Sequence, residues 1–429
     1  MGKWWMSAAL TVGLLGASAA SAQIAPPPAL QCPPSTPPDP TYAVPPAPPD
    51  APAQTPGSER GFDNAFDAPP EGLPPPRFHA DFDYLAWWTK RTSAPVLVTR
   101  GSFFDTVPGA LGEPNTTALV SGAIGESFHS GGRLTLGYDL FDDRAWMVQG
   151  SAFILQNRND VAAVSSGGLP GSPVIARPFF NGMTNQEDAD PVAVPNVMSG
   201  TIVIQLQQNI YGGEVNAAYN CWSHDASSMS LAFLAGGRYL SMNESLIIRE
   251  HLVDLPGLGQ PGNVYSLTEN FTARNHFYGC QVGAEYAYAF GPFSWQVLGK
   301  LGAGPTQEIL EISGATRIDQ PDGTVVQSTN RALLVQPSNA GTHKKTVFTV
   351  IPEISFNGFY ALNDHIRVGA GYDFIWWSQV LRPANEIDRG INIQALQPFD
   401  QVGPARPAVL MHETNFWMQG LNVTLELSF

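Results

Sequence analysis

The chain has 429 residues and a formal net charge of −15, which excludes the basic surface that nucleic-acid binding requires. Charged residues are 14% of the total, against about 25% in ordinary soluble domains, while glycine is abundant at 42 residues and aromatics reach 10%. Beyond the N-terminal leader no apolar run approaches the ~18 residues of a membrane helix, so a helical membrane protein is excluded too.

In chain order, Lys3 opens a basic leader, an apolar run extends from about Ala8 to Ala20, and Ala20-Ser21-Ala22 forms an A-x-A cleavage site. This predicts a secretory signal peptide over 1–22 and a mature start at Gln23. Ala29-Leu30-Gln31 before Cys32 is a poor lipoprotein signal, and the better cleavage site precedes it. Residues 23–76 hold 19 of the 38 prolines. Proline fixes φ and removes a donor, so this segment is expected to be disordered, periplasmic and extended. At ~3.1 Å per residue it reaches on the order of 150 Å as polyproline II. It is expected to act as a linker, with the cell wall or a periplasmic protein as its candidate partner.

From Phe78 onward period-two alternation dominates. Phe78, Ala80, Phe82, Tyr84, Ala86 and Trp88 share one face of the first strand; Leu134, Leu136, Tyr138 and Leu140 share a face of the second, opposite Arg133, Thr135 and Asp139. A third strand runs from Trp146 to about Gln156, and others are expected over 200–222, 229–252, 265–290, 293–318, 330–361, 364–380 and 413–429. Short turns (Asp142-Asp143-Arg144, 223–228, Gly291-Pro292, 362–364) alternate with long connections (91–130, 157–199, 253–264, 319–329, 381–412). Short turns on one rim and long loops on the other predict an all-β, transmembrane, antiparallel up-and-down barrel over 77–429. Ten strands are expected, with twelve as the alternative if the segments 229–252, 293–318 and 330–361 each conceal a turn. Several strands exceed the ~9–11 residues that cross a tilted bilayer, so they are expected to project beyond it on the loop side. The last strand presents Leu421, Val423, Leu425, Leu427 and Phe429 on one face and ends on an aromatic. That pattern resembles the C-terminal signal read by the barrel-assembly machinery. The expected partners are therefore outer-membrane lipid and that machinery.

If apolar faces meet lipid, the opposite faces place Asp81, Asp83, Arg133, Asp139, Glu214, Arg238, Glu285, Lys300, Glu353, Arg367 and Asp373 in the lumen. One reading is a polar conduit with a charge-selecting constriction. The other is a packed interior of ion pairs, since small barrels leave room only for side chains. No nucleophile elbow, H-E-x-x-H or P-loop is present, and the eight histidines show no metal spacing, so no catalytic, metal or cofactor residue is assigned. Asp81 and Asp83 share a face but are expected to meet cations. The three cysteines (32, 221, 280) do not make a disulfide framework; Cys221 and Cys280 read as small hydrophobes.

Several segments resemble β-barrel porin family seven: Asp83-Tyr-Leu-Ala-Trp-Trp-Thr-Lys90, Gly131-Gly-Arg-Leu-Thr-Leu-Gly-Tyr138, Phe277-Tyr-Gly-Cys-Gln-Val-Gly-Ala-Glu285, Phe348-Thr-Val-Ile-Pro-Glu353, and 371–388. The resemblance covers roughly residues 78 to 429 and implies a bacterial outer-membrane barrel; it carries over no catalytic or binding residue. Within 371–388, Arg382-Pro383 and Glu386-Ile387-Asp388 read as a staple where a strand exits. Three functions compete. The first is porin-like passage of small polar solutes or ions. The second is a non-conducting structural or adhesion barrel acting through surface loops or the proline-rich arm. The third is a soluble secreted β-protein.

Overall fold

Alternation over this length produces ten strands that pair with their chain neighbours and close on themselves. The computed structural model describes residues 77–429 except 126, 142–144, 224–227, 257–261 and 397–402. The expected signal peptide, the proline-rich segment and the turn Asp142-Asp143-Arg144 lie outside the described residues. The barrel strands are β1 (Phe78–Thr89), β2 (Phe128–Asp139), β3 (Trp146–Leu155), β4 (Met198–Ser223), β5 (Met229–Asp254), β6 (Val264–Phe290), β7 (Phe293–Asp319), β8 (Gly341–Asn363), β9 (Ile366–Leu381) and β10 (Glu413–Ser428). Every barrel pairing is antiparallel, and β10 closes the ring on β1 with Phe82 opposite Leu425. The seam is locked at its base, where Phe429 N–H donates to Phe78 O (2.9 Å) and Phe429 O accepts from Arg77 N–H (2.8 Å) and Phe78 N–H (3.0 Å).

Closure satisfies the main chain without edges, which is what a lipid environment demands. The outward faces of the turn-side half carry Phe82, Tyr84, Leu134, Val148, Val215, Phe233, Val282, Leu301, Ile354 and Val423, all exposed. Aromatic pairs bound this belt: Trp146–Tyr219 (centroids 4.9 Å) and Phe293–Tyr360 (5.1 Å) at the turn rim, and Trp88–Phe128 (5.5 Å) towards the loops. Such belts match the two membrane interfaces.

The long strands β4 to β7 then change pattern. On β5 the outward positions run Met229, Leu231, Phe233, Ala235, Gly237, Tyr239, and then Ser241, Asn243, Ser245 and Arg249. The inward positions do the reverse: Arg238 gives way to Leu240, Met242, Leu246, Ile248 and Leu252, all buried. Beyond the belt, then, the outside becomes mostly polar and the inside mostly apolar, with the buried carboxylates Glu244 and Glu250 set among the apolar side chains. Loop strands fill that upper space. Thr92–Gly101, Thr117–Ile124, Val174–Asn181, Gln186–Ala193 and Gly390–Ile391 form a second sheet, Arg158–Ser166 pairs with β4, and Val325–Thr329 pairs with β7. Their side chains Val98, Ile175, Phe179 and Val192 pack with Ile204, Leu246, Phe271 and Ile312 in one buried cluster. The long strands hide no turn, so the ring has ten members. The expected strand over 330–361 is shorter than read: it starts at Gly341, and Ala332–Val335 instead fold inward as buried chain. Cys221 and Cys280 are not bonded to each other.

Candidate functional site

The lumen is the site, and it is built in layers. Nearest the turns, His79 Nε2 lies 3.2 Å from Asp139 Oδ2, and Arg367 pairs with Glu426 on the neighbouring strand, its Nε donating at 2.9 Å. Above them Arg133 donates to Asp83 (2.6 Å) and reaches Asp373 (3.3 Å), joining β2, β1 and β9. A second group joins β4, β5, β7 and β8: Lys300 contacts Glu214 (2.7 Å) and Glu353 (2.8 Å), and Arg238 contacts Glu214 (3.1 Å) and Glu353. Neutral groups complete the shell. Thr424 donates to Asp83 (2.5 Å), Asn422 to Asp373 (3.0 Å) and Gln281 to Asn216 (2.6 Å). Three cations thus face four carboxylates, and each is paired. Mixed sign lets the charges compensate one another, where one sign alone would repel.

All the residues expected in the lumen therefore lie on inner faces, but they are not one constriction. Asp83, Arg133 and Asp373 form one group; Glu214, Arg238, Lys300 and Glu353 form the other. Asp139 sits apart beside His79, Asp81 keeps a buried oxygen without a partner, and Glu285 bonds Gln296 rather than a cation. Glu426 was missed as the partner of Arg367, although its alternation with Leu425 and Leu427 already placed it inward. On the opposite face Leu421, Val423, Leu425 and Phe429 are exposed, and Leu427 is half-buried.

Above the charges the lumen changes character. Leu85 and Trp87 from β1, Leu155 from β3, Ile210 from β4, Leu240 and Met242 from β5, Phe277 from β6, Ile351 from β8, Ile375 and Trp377 from β9, and Phe416 and Met418 from β10 form one buried cluster. Trp87, Phe277 and Ile351 are 0% exposed, and Trp377 and Phe416 are 1%. These side chains pack against one another with almost no exposure. Gly420 makes room for it: a Cβ there would stand 2.2 Å from Ala86 O and 2.9 Å from Trp87 Cδ1. Trp377 Nε1 donates to Thr306 (3.2 Å), so that indole is satisfied.

The loop after β9 then folds down onto this layer. Arg382 donates to both oxygens of Glu244 (2.8 and 2.6 Å) and to Lys90 O (2.8 Å), with its guanidinium 5.4 Å from the Phe416 ring centre. Asn275 clamps Leu381 from both sides, accepting from its N–H (2.7 Å) and donating to its carbonyl (2.9 Å). Farther along, Asp388 accepts from Arg406 (2.6 Å) and Ala408 N–H (2.7 Å). The expected staple is thus real, but its ion pair runs from Arg382 to a different strand. Beyond the apolar belt, burial pushes Glu308 up to about 7, with Glu413 adding to the shift and Lys345 opposing it. Burial likewise raises Glu386, whose Oε1 accepts from His412 N–H (3.0 Å). Arg177, 2% exposed, ties Glu250 (2.5 Å) and Glu269 beneath the second sheet. Among the described residues no three His, Cys, Asp or Glu side chains are placed to hold a metal ion.

The sequence profile of the family described as "Putative beta barrel porin-7 (BBP7)" matches residues 79–429. The chain belongs to that family. No curated protein matches it. Among solved structures, the outer membrane protease OmpT from Escherichia coli aligns at 10% identity over 83% of this chain and 97% of that one, with a TM-score of 0.39. A Pseudomonas aeruginosa FadL homologue aligns at 9% identity over 83% and 90%, with a TM-score of 0.20. The P. putida toluene transporter TodX aligns at 10% identity over 82% and 90%, with a TM-score of 0.15. These scores are too low to carry an argument about this BBP7 chain.

Proposed function

We propose that this BBP7 barrel sits in the bacterial outer membrane, closed to solutes, and serves as a rigid mount for the folded module at its loop end. One observation carries the reading: the apolar layer of Trp87, Phe277, Trp377 and Phe416 spans the lumen with almost no exposure. The paired charges beneath it support the same conclusion, because they are held by one another across a small lumen in which side chains fill the space. In this arrangement the turn rim faces the periplasm, which puts residues 23–76 there, and the loop end faces outward. No catalysis forms part of the proposal.

Purified full-length protein in planar bilayers tests it. The expected result is a silent membrane, with discrete channels appearing once Trp87, Trp377 and Phe416 are all replaced by alanine. Channels from the wild-type protein would overturn the closed reading in favour of porin-like passage. In that case, neutralising Lys300 or Arg367 should shift selectivity towards cations.

A further inference from the structure

Above the membrane the ring has a gap. β9 ends at Leu381, and its pairing with β8 reaches no farther than Ile375 opposite Glu353. Residues 341–349 of β8 keep β7 on one side, and among the described residues no strand pairs with them on the other. Lys345 reaches across this gap to Glu413 at the start of β10. The side chains of that pair are 44% and 20% exposed, so water reaches the gap there.

Behind that pair two carboxyls are buried. Glu308 on β7 lies opposite Lys345 in the register, and Glu386 comes from the short 3-10 turn Pro383–Glu386 after β9. Both are 0% exposed. Neither side-chain oxygen of Glu308 has a hydrogen-bond partner among the described residues, and Oε2 of Glu386 has none either. Oε1 of Glu386 accepts from His412 N–H (3.0 Å). Glu308 and Glu413 both lie close enough to repel Glu386, and Lys345 faces all three carboxyls. The exposed His412 faces Glu413. Buried carboxylates are ordinarily paired, protonated or bound to a metal, so three buried oxygens without a partner point to an occupant.

We propose that Glu308 and Glu386 hold a calcium ion, which ties the loop after β9 to the barrel wall at the gap. The donors are all hard oxygens, which select calcium or magnesium over softer metals. One carboxylate on a strand and one on a loop make an adaptable frame, which suits calcium better than the strict octahedron of magnesium. Charge agrees: three carboxylates and one lysine leave two negative charges, which one divalent cation cancels. Two carboxylates, not three, are the acidic ligands; Glu413 stays with Lys345 and balances charge. Calcium takes about six to eight oxygens, so main-chain carbonyls and water entering past Lys345 supply the remainder. The inference does not depend on whether the lumen conducts.

The test uses the full chain in detergent micelles at pH 8, stripped with chelator and titrated with calcium chloride in a calorimeter. Saturable heat is expected, with a Kd on the order of 0.1–1 mM for a site with few charged ligands. Glu308→Gln and Glu386→Gln should each weaken binding roughly tenfold or more. Glu311→Gln should bind as the wild type does, because Glu311 is held by Arg274. Calcium should slow hydrogen exchange in 382–391 and in 341–349 of the wild type. Thermal midpoints separate a cation from a proton. In chelator Glu308→Gln should outlast the wild type, and in saturating calcium it should fall behind. No saturable heat, binding that survives both substitutions, or a wild-type midpoint that calcium leaves unmoved overturns the site and leaves Glu308 and Glu386 as protonated carboxyls.

Discussion

Replacing Arg382 by alanine should release the loop that follows β9 from the barrel wall. Arg382 is 2% exposed and bonds Glu244 through two nitrogens, at 2.8 and 2.6 Å. Its loss leaves Glu244, 1% exposed, with the neutral amide of Gln208 (2.6 Å) as its remaining side-chain donor. Stranding one member of a buried ion pair costs about 3–5 kcal/mol, because the remaining charge keeps its desolvation penalty and loses its compensation. Asn275 still holds Leu381, so the damage should stay local to 382–391. Amide exchange there should accelerate by roughly two to three and a half orders of magnitude, while exchange in β1 and β10 stays unchanged. Pairing Arg382→Met with Glu244→Leu removes both charges and should restore most of the protection. Unchanged exchange in 382–391 after Arg382→Ala, or a double variant as labile as the single one, would refute the latch.

Other predictions follow from the same packing. Glu308 is held at about 7 against an ordinary 4.5, so the fold favours its protonated form. Its contribution is present below pH ~4.5 and lost as pH rises through about 7, and Glu308→Gln should raise the thermal midpoint on the alkaline side only. Lys300→Met leaves Glu214 and Glu353 to share Arg238 and should cost about 3 kcal/mol, seen as a lower urea midpoint in micelles. Deleting Phe429 removes the bonds that close the seam on Phe78 and Arg77, plus apolar contact worth roughly 1.5–3 kcal/mol, and should reduce the heat-modifiable band on unheated gels. Wild-type levels of that band would show that the C-terminal contact is dispensable for assembly.

The ring itself was legible from alternation. Strand positions from Phe78 to Ser428 follow the pattern closely, and charges such as Arg133 and Lys300 fall inward because their neighbours are apolar. Local pattern could not tell whether those charges line water or each other. Arg238 pairs with Glu353 on a strand not adjacent to its own, a contact that period-two spacing does not encode. The latch was half legible: Arg382-Pro383 stood out, but its partner Glu244 lies 138 residues away. The strand expected over 330–361 was overrun because Leu333, Leu334 and Val335 are apolar for a different reason. They are buried beneath the second sheet, where Leu334 N–H donates to Glu269 (2.7 Å).

The apolar plug had a signal that a face-by-face reading passes over. On β5 most large hydrophobic residues occupy odd positions from Met229 to Tyr239, with Leu234 the exception, and most occupy even positions from Leu240 to Leu252, with Ile247 the exception and Glu244 and Glu250 among them, with no insertion between the two halves. A strand in one environment keeps one phase, since a shift of one residue exchanges every side chain's face. A change of phase without a bulge means that the surroundings exchange instead: lipid outside gives way to water, and a polar interior gives way to a packed one. The pairing of β5 with β6 stays continuous from Met229 to Val253, so the backbone does not rotate at that point. The long strands that cross this level therefore enclose a largely apolar interior above the membrane, and that interior needs a filling. The second sheet and the loop from Arg382 supply it. The apolar layer across the lumen thus follows from the same sequence pattern that lengthens the strands, rather than from a loop folded in by chance.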